Sequence, residues 1–188
     1  MPHDKVLWNK ESNGYDKYVM VDLENNEESF VDIENDPLIK ECLQLYNQLE
    51  KLKISEEGML DKIANFFVRR MVKKAAKSSR DLFLPTFMLK LLKKANKNMP
   101  KCHFVISDFD HLVTNVEGIG APIVSKKLFK SDEKMDFDSY LVRRGEADIF
   151  FPVNFSLLSK MHQQVLGREA KVVKSYEFIS EFGFDQWA

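Results

Sequence analysis

The 188-residue chain has few glycines and cysteines, and it has no long apolar run. It contains 7 glycines and 2 cysteines. Cys42 and Cys102 stand far apart, without a CxxC pair or a histidine at ligand spacing, so we interpret both as isolated thiols rather than metal ligands. No apolar run approaches the roughly 20 residues that a bilayer-spanning helix needs. The sequence therefore predicts neither a metal site nor a membrane span.

Targeting signals and nucleotide-binding turns are also missing. Residues 1–5 have neither the apolar core of a signal peptide nor the Arg-rich, Ser-rich character of a transit peptide. The only GxG pair is Gly118 and Gly120, and Pro122 follows it at once. A nucleotide-binding turn needs a strand before the glycines and a helix after them. We therefore predict that this segment is an ordinary loop.

What the chain does have is enough apolar sequence for one core and an uneven distribution of charge. Hydrophobic residues make up 44% and aromatic residues 12%, and the net charge is -1. Residues 1–50 hold 4 basic and 12 acidic residues, whereas residues 51–101 hold 14 basic and 4 acidic residues. This basic block has two interpretations: a solvated helical face, or a surface for a phosphate backbone or an anionic leaflet.

Local patterns predict both strands and helices. The runs 5–8 and 18–23 flank the turn-forming Asn13-Gly14 and predict a hairpin, which 29–33 could extend. Asp36 as N-cap and Pro37 as first helical residue predict a helix of about four turns. Further helices are predicted at 58–77, 86–96, 154–167 and 175–182. Phe87, Leu91 and Met88 are expected to face inward in the helix at 86–96, and Asn154 or Ser156 to cap the helix at 154–167. Short strands are predicted near 123–124, 140–142, 148–151 and 172–173.

The segment Phe104–Asp108 is the clearest strand candidate. A continuous apolar run that ends in an acid is typical of a central strand in a parallel sheet covered on both faces. In an open α/β fold, ligands bind beyond the carboxyl ends of such strands. We therefore expect chemistry near Asp108.

Three segments together carry a family resemblance. They are PHDKVLWNKESNGYDKYVMVDL at 2–23, FVISDFDHL at 104–112 with GIGAPIV at 118–124, and SYLVRRGEADIFFPVNFSLLSKM at 139–161. They resemble the MidA-type methyltransferases, which depend on S-adenosyl-L-methionine (SAM). The mitochondrial members of that family are protein arginine methyltransferases needed for respiratory complex I assembly.

The resemblance implies an α/β fold, as the carboxy-terminal half of a Rossmann-like methyltransferase with a mixed sheet and a helical insertion. Residues 1–35 would supply strands of the sheet, 36–101 the basic helical insertion, and 102–188 the remaining strands, a hairpin and closing helices. Met1 aligns with a leucine that lies inside the family sequence. The glycine-rich SAM-binding segment is therefore expected to be absent, and this chain alone is expected to be inactive.

The resemblance also implies site residues. Asp108, Asp110 and Asp148 would be catalytic: Asp108 and Asp110 could direct a carboxylate to a substrate guanidinium, and Asp148 could face the reaction cleft. His3 and Asp4 resemble residues beside the family's active-site entrance and would bind substrate; the alternative is that they are frayed at the amino terminus. The alternative for Asp108 is a bond to loop amides, for Asp110 a turn cap, and for Asp148 a pair with Arg143 or Arg144. No residue is assigned to a cofactor or a metal.

SAM would serve the complete enzyme and not bind this chain alone. The implied partners are a protein substrate that presents arginine and the missing amino-terminal half, in mitochondria. Two other functions stay open: a non-catalytic remnant that binds a partner, and an adaptor whose basic block binds nucleic acid or a membrane surface.

Overall fold

The computed structural model describes residues 3–22, 24–56, 80–112, 116, 118–128 and 133–182. Within them lie two antiparallel sheets and four α-helices. The first sheet has the order β3-β2-β1-β4 and the second has the order β6-β5-β7. The strands are β1 (Asp4–Asn9), β2 (Gly14–Val21), β3 (Glu28–Asp32), β4 (Leu82–Leu84), β5 (Ile123–Lys127), β6 (Lys134–Phe137) and β7 (Asp148–Phe150). The helices are α1 (Pro37–Glu56), α2 (Thr86–Asn98), α3 (Phe155–Leu166) and α4 (Ser175–Glu181), with a 3-10 turn at Ile33–Asn35.

The amino-terminal hairpin is confirmed. β1 and β2 pair in antiparallel register and close at Asn9 and Gly14. Asn13 adopts a φ of 50° in the turn, a left-handed conformation that asparagine tolerates better than most residues. β3 pairs with the far side of β2, so the predicted third strand is also confirmed.

The starts of α1 and α3 follow from their capping residues. Asp36 Oδ1 accepts hydrogen bonds from the backbone N–H groups of Leu38 and Ile39, at 2.9 and 3.1 Å. Asn154 Oδ1 accepts a bond from the N–H of Leu157 at 3.0 Å. These bonds satisfy amide groups that a helix start otherwise leaves without partners. Both predicted starts are confirmed, although α1 is longer than predicted, with 20 residues.

The first sheet lies between two apolar layers because its residues alternate in direction. Val6, Leu82 and Leu84 face a core shared with α1, α2 and α3. Phe83, which lies between the two leucines, faces a second core shared with residues of the second sheet. The result is three layers: helices, the first sheet and the second sheet.

The prediction for Phe104–Asp108 is wrong. This segment is extended but belongs to no strand, and the side chain of Val105 is 79% exposed. Phe104 and Ile106 pack against the helical core. The segment therefore lies on the surface of the helical core, with alternate side chains packed against that core. It does not lie inside a sheet with both faces buried.

The topology also differs from the expected Rossmann-like mixed sheet. Every pair of named strands in the described residues is antiparallel, so a Rossmann-like arrangement is not found there, while the α/β class is confirmed. The runs 140–142 and 172–173 are not strands. β4 and β6 were not foreseen. The predicted helix at 58–77 lies outside the described residues.

The inward face of α2 was predicted correctly only in part, although the helix itself is confirmed: Met88 packs against the helical core, whereas Phe87 and Leu91 do not. Phe87 is 57% exposed and Leu91 is 41% exposed. The buried residues are Thr86, Leu89, Leu92 and Ala95. A helix with apolar residues on several sides gives no clear inward face from sequence alone.

Candidate functional site

His3 lies at the entrance of β1 and faces the second sheet. Its ring stacks on the ring of Phe151, with centroids 4.1 Å apart and an interplanar angle of 8°. Burial lowers the His3 pKa to about 4, partly opposed by the negative charge of Asp108, which raises it. The buried Nδ1 atom has no hydrogen-bond partner in the described part of the chain. His3 is therefore a neutral ring near neutral pH.

Asp108 lies near enough to His3 for its negative charge to raise the His3 pKa, in the segment that was expected to be a strand. Its carboxylate is exposed, and Oδ1 accepts a hydrogen bond from the backbone N–H of Phe109 at 2.8 Å. The carbonyl of Phe109 in turn accepts a bond from the N–H of Val153 at 2.8 Å. That bond fixes the Asp108 segment against the residues between β7 and α3. A loop contact, not a strand end, thus places the Asp108 segment near Phe151, on which the His3 ring stacks.

Asp4 is directed to the opposite face of the first sheet. The hydroxyl of Thr86, the first residue of α2, donates a hydrogen bond to the Asp4 carboxylate. A carboxylate at that end interacts favourably with the helix dipole. His3 and Asp4 are neighbours in sequence, yet they contact different layers, because successive residues of an extended chain point in opposite directions.

The other two predicted carboxylates lie apart from this pair. Asp110 forms an exposed ion pair with Lys174 at 2.7 Å. The hydrogen bond from Lys174 lowers the Asp110 pKa. Asp148 begins β7, is exposed, and stands opposite Ser125 of β5. Among the described residues, no ion pair joins Asp148 to Arg143 or Arg144.

A half-buried charge cluster next to His3 was missed from the sequence. Lys5 Nζ lies 3.8 Å from Asp81 and 4.0 Å from Glu28, and it sits 5.4 Å from the centroid of the Tyr140 ring. The Tyr140 hydroxyl donates a hydrogen bond to Glu28, and burial together with this bond raises the Tyr140 pKa far above its usual range. A sequence signal existed: a lysine between apolar positions of a strand must find partners if that face is covered.

Phe83 packs between the His3–Phe151 pair and the Lys5–Tyr140 pair. Its ring is tilted against Phe151 and edge-on to Tyr140, with both centroids 5.7 Å away. The Phe151 ring stacks on the His3 ring, and the Tyr140 ring lies under the Lys5 ammonium group. Together, His3, Lys5, Phe83, Tyr140 and Phe151 form the contact between the first sheet and the segments that flank β7. Asp108 lies at the His3 end of this contact.

The glycine pair at 118–120 tests whether the described residues fit the SAM implied by the resemblance. The N–H of Ile119 donates to the carbonyl of Asp81 at 2.7 Å, and its carbonyl accepts from the N–H of Phe83 at 3.0 Å. A Cβ atom at Gly118 would come within 3.0 Å of the Phe83 ring. A nucleotide cradle needs free amides and open space above the glycines. In this turn the Ile119 amide is already bonded to Asp81 and the Phe83 ring fills the space at Gly118, so the described residues do not fit the cofactor there.

Two broader classes of site receive no support from the described ranges. In them, no group of three or more His, Cys, Asp or Glu side chains could hold a metal ion. None of the helices described is long and apolar enough to cross a membrane.

Cys42 is fully buried, and this burial raises its pKa to about 12, so the thiol is protonated at ordinary pH. Neither described cysteine forms a disulfide.

Comparison with known proteins defines the class. A family model described as "Putative S-adenosyl-L-methionine-dependent methyltransferase" matches residues 1–174. The chain therefore belongs to this family of SAM-dependent methyltransferases, whose cofactor is SAM. No curated protein matches the chain, and no solved structure does.

Proposed function

We propose that these residues form the methyl-acceptor side of a SAM-dependent protein arginine methyltransferase of the MidA type. Family membership supports a methyltransferase, and the sequence resemblance supports arginine as the acceptor. The observation that carries the proposal is the exposed Asp108 carboxylate, whose segment is bonded through Phe109 to Val153, two residues from the Phe151 ring on which the neutral His3 ring stacks.

The chemistry of a guanidinium group fits this arrangement. It is a planar cation that donates paired hydrogen bonds to a carboxylate. A histidine with an ordinary pKa would become cationic in mildly acidic conditions and would repel it. His3 stays neutral because it is buried. The role of Asp108 is to bind and orient the acceptor, and proton removal would follow from the same contact.

The cofactor is proposed to be held by polypeptide outside the described residues. The single GxG turn among them is closed by Phe83 and by hydrogen bonds to β4. On this proposal the chain binds the acceptor but not SAM, and it acts together with a cofactor-binding portion. Mitochondrial placement and a part in complex I assembly rest on the MidA resemblance.

An NMR titration tests the acceptor site. The probe is N-acetyl-arginine amide, with N-acetyl-lysine amide as the matched control for a cation of different shape. We expect the arginine probe to shift signals of His3 and Asp108, and the lysine probe to shift them several-fold less, because only guanidinium donates a bidentate pair. Asp108→Asn should abolish the arginine-dependent shifts.

Asp148→Asn is the control variant, because Asp148 is also an exposed aspartate but lies on β7 away from His3. It should keep the response to the arginine probe. Loss of the response in Asp148→Asn but not in Asp108→Asn would move the acceptor site to β7. If the arginine probe shifts neither the His3 nor the Asp108 signals in the folded wild type, the proposal is overturned.

Localisation is tested separately. Antibodies raised against residues 139–161 should detect the protein in purified mitochondria after protease treatment of their outer surface. Detection only in the cytosolic fraction would contradict the mitochondrial part of the proposal. That result would not bear on the acceptor site, which the NMR titration tests separately.

A further inference from the structure

The outer face of α2 carries positive charge and large apolar side chains together. Residues 86–101 contain five lysines and no aspartate or glutamate. Lys90, Lys94 and Lys97 recur at helical spacing beside Phe87 and Leu91, and all five side chains are exposed. We call these five residues the lysine face.

The apolar members of the lysine face are exposed to solvent. Phe87 is 57% exposed and Leu91 is 41% exposed, and Met99 just beyond the helix is 59% exposed. Phe87 and Leu91 are four residues apart, so their side chains are neighbours on one side of the helix. The opposite side of α2 is already buried through Leu89, Leu92 and Ala95. The helix therefore does not need its outer face for folding.

The surroundings of the lysine face add little negative charge. Lys93, at the border with α1, pairs with Glu41. At the carboxyl end of α2, the Arg168 guanidinium donates to the carbonyl of Pro100 at 2.7 Å, which places another cation there. The positive charge thus continues past the helix end.

Other parts of the same chain differ in how well they could cover this face. Residues 57–79 hold six basic and two acidic residues, so like charges would oppose their docking there. The acidic hairpin, residues 22–36, holds seven acidic residues and no lysine or arginine. The acidic hairpin of a second copy of the chain could bind the lysine face instead, and an experiment must exclude this competing occupant.

We propose that the lysine face binds an anionic phospholipid surface, with Phe87 and Leu91 inserted at the headgroup boundary and the lysines contacting lipid phosphates. Peripheral helices bind membranes through this combination of bulky apolar side chains and lysines. The proposal is independent of the acceptor site.

Lipid is favoured over nucleic acid by the kind of side chains present. Sequence-independent binding of single strands relies on aromatic platforms on which successive bases stack. The lysine face has one aromatic residue, Phe87, and its other large apolar neighbours, Leu91 and Met99, are aliphatic. Aliphatic side chains gain from insertion among acyl chains and offer no stacking surface.

Vesicle sedimentation with the full 188-residue chain tests the proposal. The probes are vesicles of phosphatidylcholine alone, and vesicles of phosphatidylcholine with phosphatidylserine. Binding should appear only with phosphatidylserine and should weaken as salt rises. The triple variant Lys90→Ala, Lys94→Ala, Lys97→Ala should reduce the partition constant on the order of 100-fold, at about fivefold per lysine. Phe87→Ser with Leu91→Ser should reduce it at least about tenfold.

Matched controls separate this face from general effects. Lys10, Lys17 and Lys134 are exposed lysines elsewhere, and their triple alanine variant should bind like the wild type to within about twofold. Phe30, 58% exposed on β3, and Met20, 51% exposed on β2, are the controls for the apolar pair. Circular dichroism confirms that each variant is folded.

Several results would overturn the proposal. They are equal sedimentation with both kinds of vesicle, unchanged binding by the lysine-face variants, or an equal loss in the control variants. Retention on a single-stranded RNA oligonucleotide without vesicle binding would assign the face to nucleic acid. Salt-sensitive self-association in sedimentation velocity runs, abolished by the lysine-face variants, would assign it to the acidic hairpin of another copy.

Discussion

The ring of His3 lies almost flat on the ring of Phe151, 4.1 Å between centroids and 8° from parallel. Phe151 follows β7 directly, so this contact joins the first residues of the first sheet to the second sheet. It also keeps the imidazole away from water, which explains its low pKa. The pair therefore links the stability of the layers to the protonation of one side chain.

Stability should depend on pH through His3. Its pKa is about 4 in the folded protein, against 6.5 for a histidine open to water, so the unfolded chain binds the proton more readily between these values. Stability is then complete above the unfolded pKa and is lost as pH falls towards the folded pKa. We expect the free energy of unfolding to be about 2 kcal/mol lower at about pH 5 than at about pH 7 from this group.

Urea denaturation of the His3→Phe variant measures that contribution. The variant keeps an aromatic ring on Phe151 but cannot bind a proton, so the difference between the two pH values should shrink by about 2 kcal/mol. His103→Phe is the control, since His103 is exposed. An unchanged pH difference in His3→Phe would show that the His3 ring is open to water in the folded protein.

The Asp108 charge should be detectable at His3. Asp108 raises the His3 pKa against the larger, lowering effect of burial. Asp108→Asn removes that negative charge, so the His3 pKa should fall further. NMR titration of the imidazole signals gives the value directly. Asp110→Asn, which removes a charge paired with Lys174 instead, is the matched comparison. An unchanged His3 pKa in Asp108→Asn would place the two groups apart.

Gly118 should tolerate no side chain. Its φ is 129°, and an added Cβ would lie 3.0 Å from the Phe83 ring and 3.1 Å from the carbonyl oxygen of Asp81. Gly145 has a φ of 78° with nothing within 4 Å, so Gly145→Ala brings backbone strain alone. We expect losses of about 1 kcal/mol for Gly145→Ala and about 3 kcal/mol for Gly118→Ala. Equal losses in chemical denaturation would mean that the Phe83 contact is absent.

Alanine substitutions at two leucines of α2 should differ sharply in how much stability they remove. Leu89 is 0% exposed within the helical core, whereas Leu91 is 41% exposed. Leu89→Ala should cost about 3 kcal/mol because it leaves a cavity, and Leu91→Ala should cost less than about 1 kcal/mol. Thermal unfolding of both variants measures the difference. A larger loss for Leu91→Ala would reverse the orientation of α2.

Local chemistry in the sequence was sufficient for much of the secondary structure. Asn13-Gly14, Asp36-Pro37 and Asn154 each act within a few residues, through φ preference or through a bond to a nearby amide. Such signals do not depend on the rest of the chain, which is why the hairpin and the helix starts were predicted correctly.

Features set by distant contacts were not predictable in the same way. Phe104–Asp108 has the composition of a buried strand, but its position is set by packing on the helices and by the bond between Phe109 and Val153. β4 has three residues and pairs with β1 from far along the chain. The partners of Lys5 come from three separate segments. Sequence identified Asp108 and His3 as candidates, and their proximity came from this long-range packing.

Isothermal titration of the purified 188-residue chain with SAM determines whether the chain binds the methyl donor by itself. After circular dichroism has shown that the chain is folded, we expect no saturable heat of binding, because the Gly118–Gly120 turn is filled by Phe83 and bonded to β4. A saturable isotherm with one SAM per chain would contradict this expectation.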